Sequence, residues 1–259
     1  MRLFKFKEKK PNVSRRFDLK AYTGLTYAIG DVHGRCDLLE QLLGIIASDI
    51  DAVRGHVSAE LVPTIVFLGD YIDRGLQSRE VIECLLSLPA VGLNRVFLKG
   101  NHEQTALKFL EDPTVGVQWS EHGAIETLVS YGVNVPVQRN DLQAWEDVNR
   151  AFAAALPQSH LDFMNSLKPY WIDGPFMFVH AGVDPNMPID EQTEGEFLWI
   201  RDRFIQSRKH LPYIIVHGHT PEIKPVWDGR RIGLDTGAYM TGKLSAVRLF
   251  SGEVRFLST

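Results

Sequence analysis

Short apolar runs rich in β-branched and aromatic residues punctuate the chain: LTYAI (25–29), TIVFL (64–68), RVFLK (95–99), FMFV (176–179), YIIV (213–216), RIGL (231–234) and LSAVRLF (244–250). Runs this short and continuous predict strands buried on both faces. Between the first three the period changes. In DLLEQLLGIIASDI, Leu39, Leu42, Leu43, Ile46 and Ile50 share one helical face, and Val81, Ile82, Leu85 and Leu86 repeat the stripe in SREVIECLLSL. Ser78 is the expected N-cap of this second helix. Strand, helix, strand, helix, strand predicts parallel pairing through right-handed crossovers. From 105 to 170 the strand signal fades into a helical, polar stretch marked by Trp119, Trp145 and AFAAAL, read as a helical insertion on the sheet edge or over the site. Beyond 210 the short strands crowd together, which predicts an antiparallel or mixed end.

Composition changes this picture only at its margins. A formal net charge of −4 over 259 residues gives no nucleic-acid footprint. No apolar run approaches the ~20 residues that cross a bilayer. Cys36 and Cys84 are the only cysteines and are not closely spaced. Neither a disulfide scaffold nor a thiolate zinc cluster is therefore expected, and a cytoplasmic location with Cys36 as a buried reduced thiol is. The opening MRLFKFKEKKPNVSRRFDLK is basic without an apolar h-region, so residues 1–20 read as a flexible solvated tail ahead of a single domain, 21–259. His56, His160 and His210 have no site context and are expected at the surface or at helix ends.

The chemistry gathers where the apolar runs stop. LTYAI ends in Gly30-Asp31-Val32-His33-Gly34, TIVFL in Gly69-Asp70-Tyr71-Ile72-Asp73-Arg74-Gly75, and RVFLK in Gly100-Asn101-His102-Glu103. FMFV ends in His180-Ala181-Gly182, YIIV in His217-Gly218-His219, and RIGL in Asp235-Thr236-Gly237. One Asp after a strand is commonly a turn former, and one His is commonly a hydrogen-bonded neighbour. Six such ends are different, because the carboxyl ends of parallel strands converge on one crevice.

Two carboxylates, an amide oxygen and several imidazoles, with no thiolate, suit divalent manganese, iron, zinc or similar ions. Asp31 and His33, two apart on an extended chain, point to the same side, and Asp70 on the neighbouring strand could bridge two ions. Such a pair holds a water as hydroxide at neutral pH and clamps an in-line displacement at phosphorus. Arg74 could meet the charge on the equatorial oxygens. His102 could protonate the leaving oxygen, with Asp73 orienting it.

The set GDVHG, GDYIDRG, GNHE, HAG and GHTP resembles the phosphoprotein phosphatase family of metallophosphoesterases, in its bacterial and phage-like branch. The likeness covers residues 25 to 250 and extends to WSEHGAIETLVSYG (119–132), LWIRDRF (198–204) and IGLDTGAYMTGKL (232–244). It implies an α/β fold, the four-layer αββα sandwich of mixed sheets, with a dinuclear site at the strand ends. By that resemblance Asp31, His33 and Asp70 hold one metal, and Asp70, Asn101, His180 and His219 the other. Manganese is the first expectation, with iron, zinc, nickel or magnesium as alternatives. Arg74 and Arg201 resemble the phosphate clamps, His102 with Asp73 the general acid and its orienting carboxylate, and Tyr239 an active-site tyrosine that contacts substrate. Asp235 is expected to support the loops. His219 is the expected ligand of the GHTP motif and His217 its neighbour.

The implied activity is hydrolysis of phosphoserine or phosphothreonine in proteins or peptides by a hydroxide held between the two metals. The alternative is symmetrical hydrolysis of diadenosine tetraphosphate or a related nucleotide. Asp73 in DRG and Glu103 in GNHE favour the first. A catalytically inactive binding module would lack ligands, whereas all six stand in this sequence. Leu76 replaces a usual proline, and His122 interrupts a usual Gly-Gly pair.

Overall fold

The computed structural model describes residues 17–55 and 61–259, so most of the basic tail and His56 lie outside the described residues. Strand β1 (Leu25–Ile29), helix α1 (Cys36–Arg54), β2 (Thr64–Phe67), α2 (Ser78–Ser87) and β3 (Asn94–Phe97) follow in the expected alternation. Both strand pairs are parallel, with Ala28 opposite Val66 and Val66 opposite Val96. Helices α3 (Asn101–Glu111), α4 (Val115–Ser120), α5 (Ala124–Ser130), α6 (Leu142–Ala155) and α7 (Gln158–Ser166) come next. The remainder is β4 (Tyr170–Asp173), β5 (Phe176–Val179), α8 (Glu194–Trp199), α9 (Asp202–Ile205), β6 (Ile214–His217), β7 (Val226–Trp227), β8 (Arg231–Gly233), α10 (Ala238–Thr241), β9 (Ser245–Phe250) and β10 (Glu253–Ser258).

Two five-stranded mixed sheets result, ordered β10-β9-β1-β2-β3 and β4-β5-β6-β8-β7. The period-2 alternation of each strand sorts its side chains into layers. Tyr27, Ile29, Ile65 and Phe67 face the helices α1 to α7, whereas Ala28, Val66 and Leu68 face the second sheet. Phe176, Phe178, Ile214 and Val216 answer from that sheet, and its far side sends Met177, Val179 and Ile215 against Phe197 of α8 and Phe204 of α9. Each such burial contributes about 1.5–3 kcal/mol. The order is helices, sheet, sheet, helices: the four-layer sandwich. Helices α3 to α7 extend the outer layer begun by α1 and α2, and Lys168 after α7 pairs with Leu98 beyond the β3 edge.

Several local expectations differ. Gln77 occupies the N-cap of α2, and Ser78 is its first residue, turned inward to accept from the Asp73 amide at 3.1 Å. Leu86 falls off the buried stripe and is 42% exposed. His160 is buried, its Nδ1 2.8 Å from the Tyr131 hydroxyl, because α7 lies in the packed helical layer. β4, β7 and β10 escape the apolar pattern because edge strands are not covered on both faces: β4 alternates exposed with half-buried, and β3, whose run predicts burial on both faces, is an edge strand in which only Val96 is buried. Among the described residues, no helix is long and apolar enough to cross a membrane.

Candidate active site

The loops after β1, β2, β3, β5, β6 and β8 meet at one end of the two sheets. Close approach demands glycine: a Cβ on Gly218 would lie 1.9 Å from Asp31 Oδ1, and one on Gly100 2.1 Å from Asp70 Oδ1. The same loops hold five side-chain-bearing residues in the left-handed region, His33 (φ 46°), Asp70 (53°), Asp73 (73°), Arg74 (68°) and His219 (63°). Each such conformation costs on the order of 1–3 kcal/mol and persists only where its surroundings enforce it.

Asp70 lies at the centre. Its Oδ2 is 3.6 Å from His33 Nε2, 3.4 Å from His180 Nε2 and 3.8 Å from His102 Nε2. Two clusters share it: His33, Asp70 and His102 on one side, Asp70, His180 and His219 on the other. His33 Nδ1 donates to the Ile72 carbonyl at 2.9 Å and His180 Nδ1 to the Leu68 carbonyl at 2.9 Å, so both present Nε2 inward. Backbone carbonyls fixing a tautomer in this way are typical support for metal-binding imidazoles. His180 Nε2 also lies 2.9 Å from Asn101 Oδ1 and 3.2 Å from His219 Nδ1. Asp31 sits beside this group and accepts from the His219 amide at 2.9 Å.

The charges reflect crowding. Burial, with Asp235 next to it, pushes Asp31 well above the usual carboxylate range. Burial alone would raise Asp70 too, but His180, His102 and His33 reverse this and hold it well below that range. His180 is raised to about 9, because Asp70 outweighs its burial. Burial and the neighbouring His180 depress His219 to about 2. Its Nε2 is buried without a partner among the described residues, as is Asp235 Oδ2. A buried set of convergent oxygen and nitrogen donors, carboxylates included, with orphaned lone pairs and no thiol, fits divalent cations.

Next to Asp70 stands a second constellation. His102 Nδ1 lies 2.6 Å from Asp73 Oδ2, which also accepts from Trp119 Nε1 at 2.7 Å. Asp73 Oδ1 accepts from the Thr127 hydroxyl at 2.5 Å. Asp70 and Asp73 together outweigh the burial of His102 and raise it. No pattern in the sequence gives Trp119 or Thr127 a role; only the WSEHGAIET segment as a block marks them. Glu103 stands out in the sequence as part of GNHE, but not for the structural part it plays. Its carboxylate accepts from the amides of Asp70 (3.0 Å), Tyr71 (2.8 Å) and Gly100 (2.9 Å), which pins the Asp70 loop to the start of α3. Burial, with Asp70 nearby, lifts Glu103 to about 7.

Arg74 Nη1 lies 3.0 Å from His33 Nε2, and its guanidinium sits 4.9 Å from the centre of the Tyr239 ring. Arg201, the N-cap of α9, donates to the His219 carbonyl at 3.1 Å. Tyr239 is exposed and lines a cavity of about 500 Å³ together with Arg35, Arg74, Leu76 and Gln77. The Arg74 amide donates to the Gly123 carbonyl at 3.0 Å. Asp235 Oδ1 accepts from the Gly237 amide at 2.8 Å. His217 points elsewhere: its Nδ1 donates to the Gly218 carbonyl at 2.9 Å, and its Nε2 accepts from Arg231 Nη1 at 3.0 Å. The two histidines of HGH have parted.

A family model described as calcineurin-like phosphoesterase matches residues 25–249. A curated relative, the bis(5'-nucleosyl)-tetraphosphatase PrpE [asymmetrical] of Anoxybacillus flavithermus, is 27% identical over 242 residues, covering 85% of this chain and 88% of its own. Among solved structures, one provisionally described as a diadenosine tetraphosphatase shares 21% identity and a TM-score of 0.58, over 92% of this chain and 95% of that one. The cold-active protein-tyrosine phosphatase of a psychrophilic Shewanella shares 17% identity and a TM-score of 0.56, over 93% and 84%. At these identities the solved structures speak for the fold.

Proposed function

The chain belongs to the calcineurin-like phosphoesterase family of metal-dependent phosphoester hydrolases, and we propose that its substrate is a dinucleoside polyphosphate, cut at a phosphoanhydride bond. One observation carries this reading: curated relatives aligned over 85% of the chain are bis(5'-nucleosyl)-tetraphosphatases. Those relatives are described as asymmetrical, and on that ground this reading takes an asymmetrical cut in place of the symmetrical one of the alternative. The products of a tetraphosphate are then a nucleoside triphosphate and a monophosphate, not two diphosphates.

Asp31, His33 and Asp70 would hold one divalent ion, and Asp70, Asn101, His180 and His219 the other. Bound there, the ions supply Lewis-acid charge and lower the pKa of coordinated water. The chain supplies the rest. Arg74, on the loop after β2, and Arg201, at the start of α9, would grip phosphoryl oxygens, and Arg74 would exchange His33 Nε2 for substrate. His102 keeps its Nδ1 proton on Asp73 and directs Nε2 towards the Asp70 carboxylate, where it would hand a proton to the leaving oxygen.

The His102–Asp73 pair also favours a second reading, a phosphoprotein phosphatase. A nucleotide leaves as a weakly basic phosphate and needs little protonation, whereas a serine alkoxide needs a well-placed acid. The two readings separate in one assay. Manganese-loaded protein is offered diadenosine tetraphosphate and a phosphoserine peptide, and the nucleotide products are resolved by chromatography. Turnover of the dinucleotide to ATP and AMP, at least tenfold more efficient than peptide turnover, is expected. Faster peptide turnover would hand the site to the second reading. Asp70→Asn should abolish both.

A further inference from the structure

The two cysteines, far apart in sequence, meet across the outer helical layer. Cys36 is the first residue of α1, Glu40 lies one turn further on the same face, and Cys84 sits within the neighbouring α2. One Sγ from each cysteine and a carboxylate oxygen of Glu40 all lie within 4.8 Å of one another. Both cysteines are free; Cys36 is buried, Cys84 half-buried and Glu40 exposed, so the group opens to solvent on its carboxylate side. None of these residues belongs to the site around Asp70.

We propose that Cys36, Glu40 and Cys84 form a separate cation site for a thiophilic divalent ion of the zinc type. Two sulfurs and one carboxylate make a donor set softer than the oxygen and nitrogen groups around Asp70, so the two sites select different metals. Three protein ligands leave the fourth tetrahedral position for water. The surroundings attract a cation: the charged groups acting on Cys36 are Glu40 and Glu80, and the one acting on Cys84 is Glu40. Ion uptake releases the two thiol protons to solvent and leaves both sulfurs as thiolates.

The same surroundings argue against a disulfide as the use of this pair. Burial, with Cys84, Glu40 and Glu80 beside it, pushes the Cys36 thiol up to about 12. A thiol held in its protonated form is a poor nucleophile for disulfide exchange, whereas direct coordination displaces its proton. A bound ion would tie α1 to α2. The loops leading into these helices carry His33 and Arg74 and are already joined by a 2.9 Å hydrogen bond from the Gln77 amide to the Gly34 carbonyl.

Cadmium alone serves as the probe, because its thiolate complexes absorb in the near ultraviolet and a site of oxygen and nitrogen donors does not. Titration of the reduced full-length protein should give this charge-transfer band, saturating at one thiolate-bound cadmium per chain. Cys36→Ser and Cys84→Ser should each remove it. Glu40→Gln, at an exposed position that tolerates substitution, should keep the band but weaken affinity by about tenfold. If Cys36→Ser does not fold, Cys84→Ser and Glu40→Gln decide. No band in the wild type, or a band unchanged in Cys84→Ser, overturns the proposal.

Discussion

His102 Nδ1 and Asp73 Oδ2 lie 2.6 Å apart in a setting where Asp73 is fully buried and His102 nearly so. The pair is positioned before any substrate arrives, and its proton matters in proportion to the basicity of the leaving group. His102→Asn should therefore lower turnover of an alkyl phosphomonoester by about 10²–10⁴-fold. Turnover of p-nitrophenyl phosphate or of a phosphoanhydride should fall much less. Bound metal should stay at the wild-type level; its loss would make His102 a ligand, consistent with its place beside His33 and Asp70.

Trp119→Phe removes one hydrogen bond to the same carboxylate and keeps most of the ring. The expected cost is about 1.5–3 kcal/mol of stability, measured by denaturant unfolding, since the bond lost is to a buried carboxylate. The alkaline limb of kcat should move to higher pH, because an Asp73 carboxylate relieved of the indole donor holds the imidazolium more firmly. An unmoved limb would reduce Trp119 to packing.

The parting of His217 and His219 gives a metal-content experiment. His217→Phe should retain manganese, because both ring nitrogens of His217 are engaged away from the cluster. His219→Ala should lose manganese stoichiometry, measured by elemental analysis after desalting. Equal losses in both variants would make His217 a ligand as well.

His217 also predicts acid sensitivity. Burial and Arg231 lower it to about 3, against an ordinary value near 6.5. With the folded value depressed, its contribution to stability is intact above pH 6.5 and is lost as pH falls towards about 3. Within that window this one group contributes a slope of about 1.4 kcal/mol per pH unit. Between pH 7 and pH 5, chelated wild-type protein should lose more stability than chelated His217→Phe. The other buried histidines act in both proteins and cancel. Parallel losses would show that His217 titrates normally.

The sandwich and the strand-end cluster were legible because each rests on a short-range pattern. Continuous apolar runs mark strands covered on both sides, and β1, β2, β5 and β6 are covered on both sides. β10, whose residues are exposed or half-buried at a sheet edge, has no such run. The motif residues could be seen because glycine, Asp and His recur at fixed offsets after those strands. The roles of Trp119 and Thr127, and the bonds Glu103 makes, could not. These are hydrogen bonds to a carboxylate or to amides set by packing between helices and loops, and residue type alone does not encode such partners. The cysteines show the limit most sharply, since spacing along the chain argues against a shared site and the α1–α2 contact creates one.

The left-handed residues around Asp70 bear on how the protein keeps time with its metals. Folding has already paid for those conformations through contacts that contain no ion, such as the Glu103 cradle and the carbonyls behind His33 and His180. Loading an ion therefore demands little ordering of the chain, unlike small domains that collapse only around their metal. Chelated protein should keep its cooperative unfolding transition and native circular dichroism, and regain turnover within the mixing time when manganese returns. Free metal would then set the activity, while contacts within the chain hold the fold and bound metal adds to its stability by mass action.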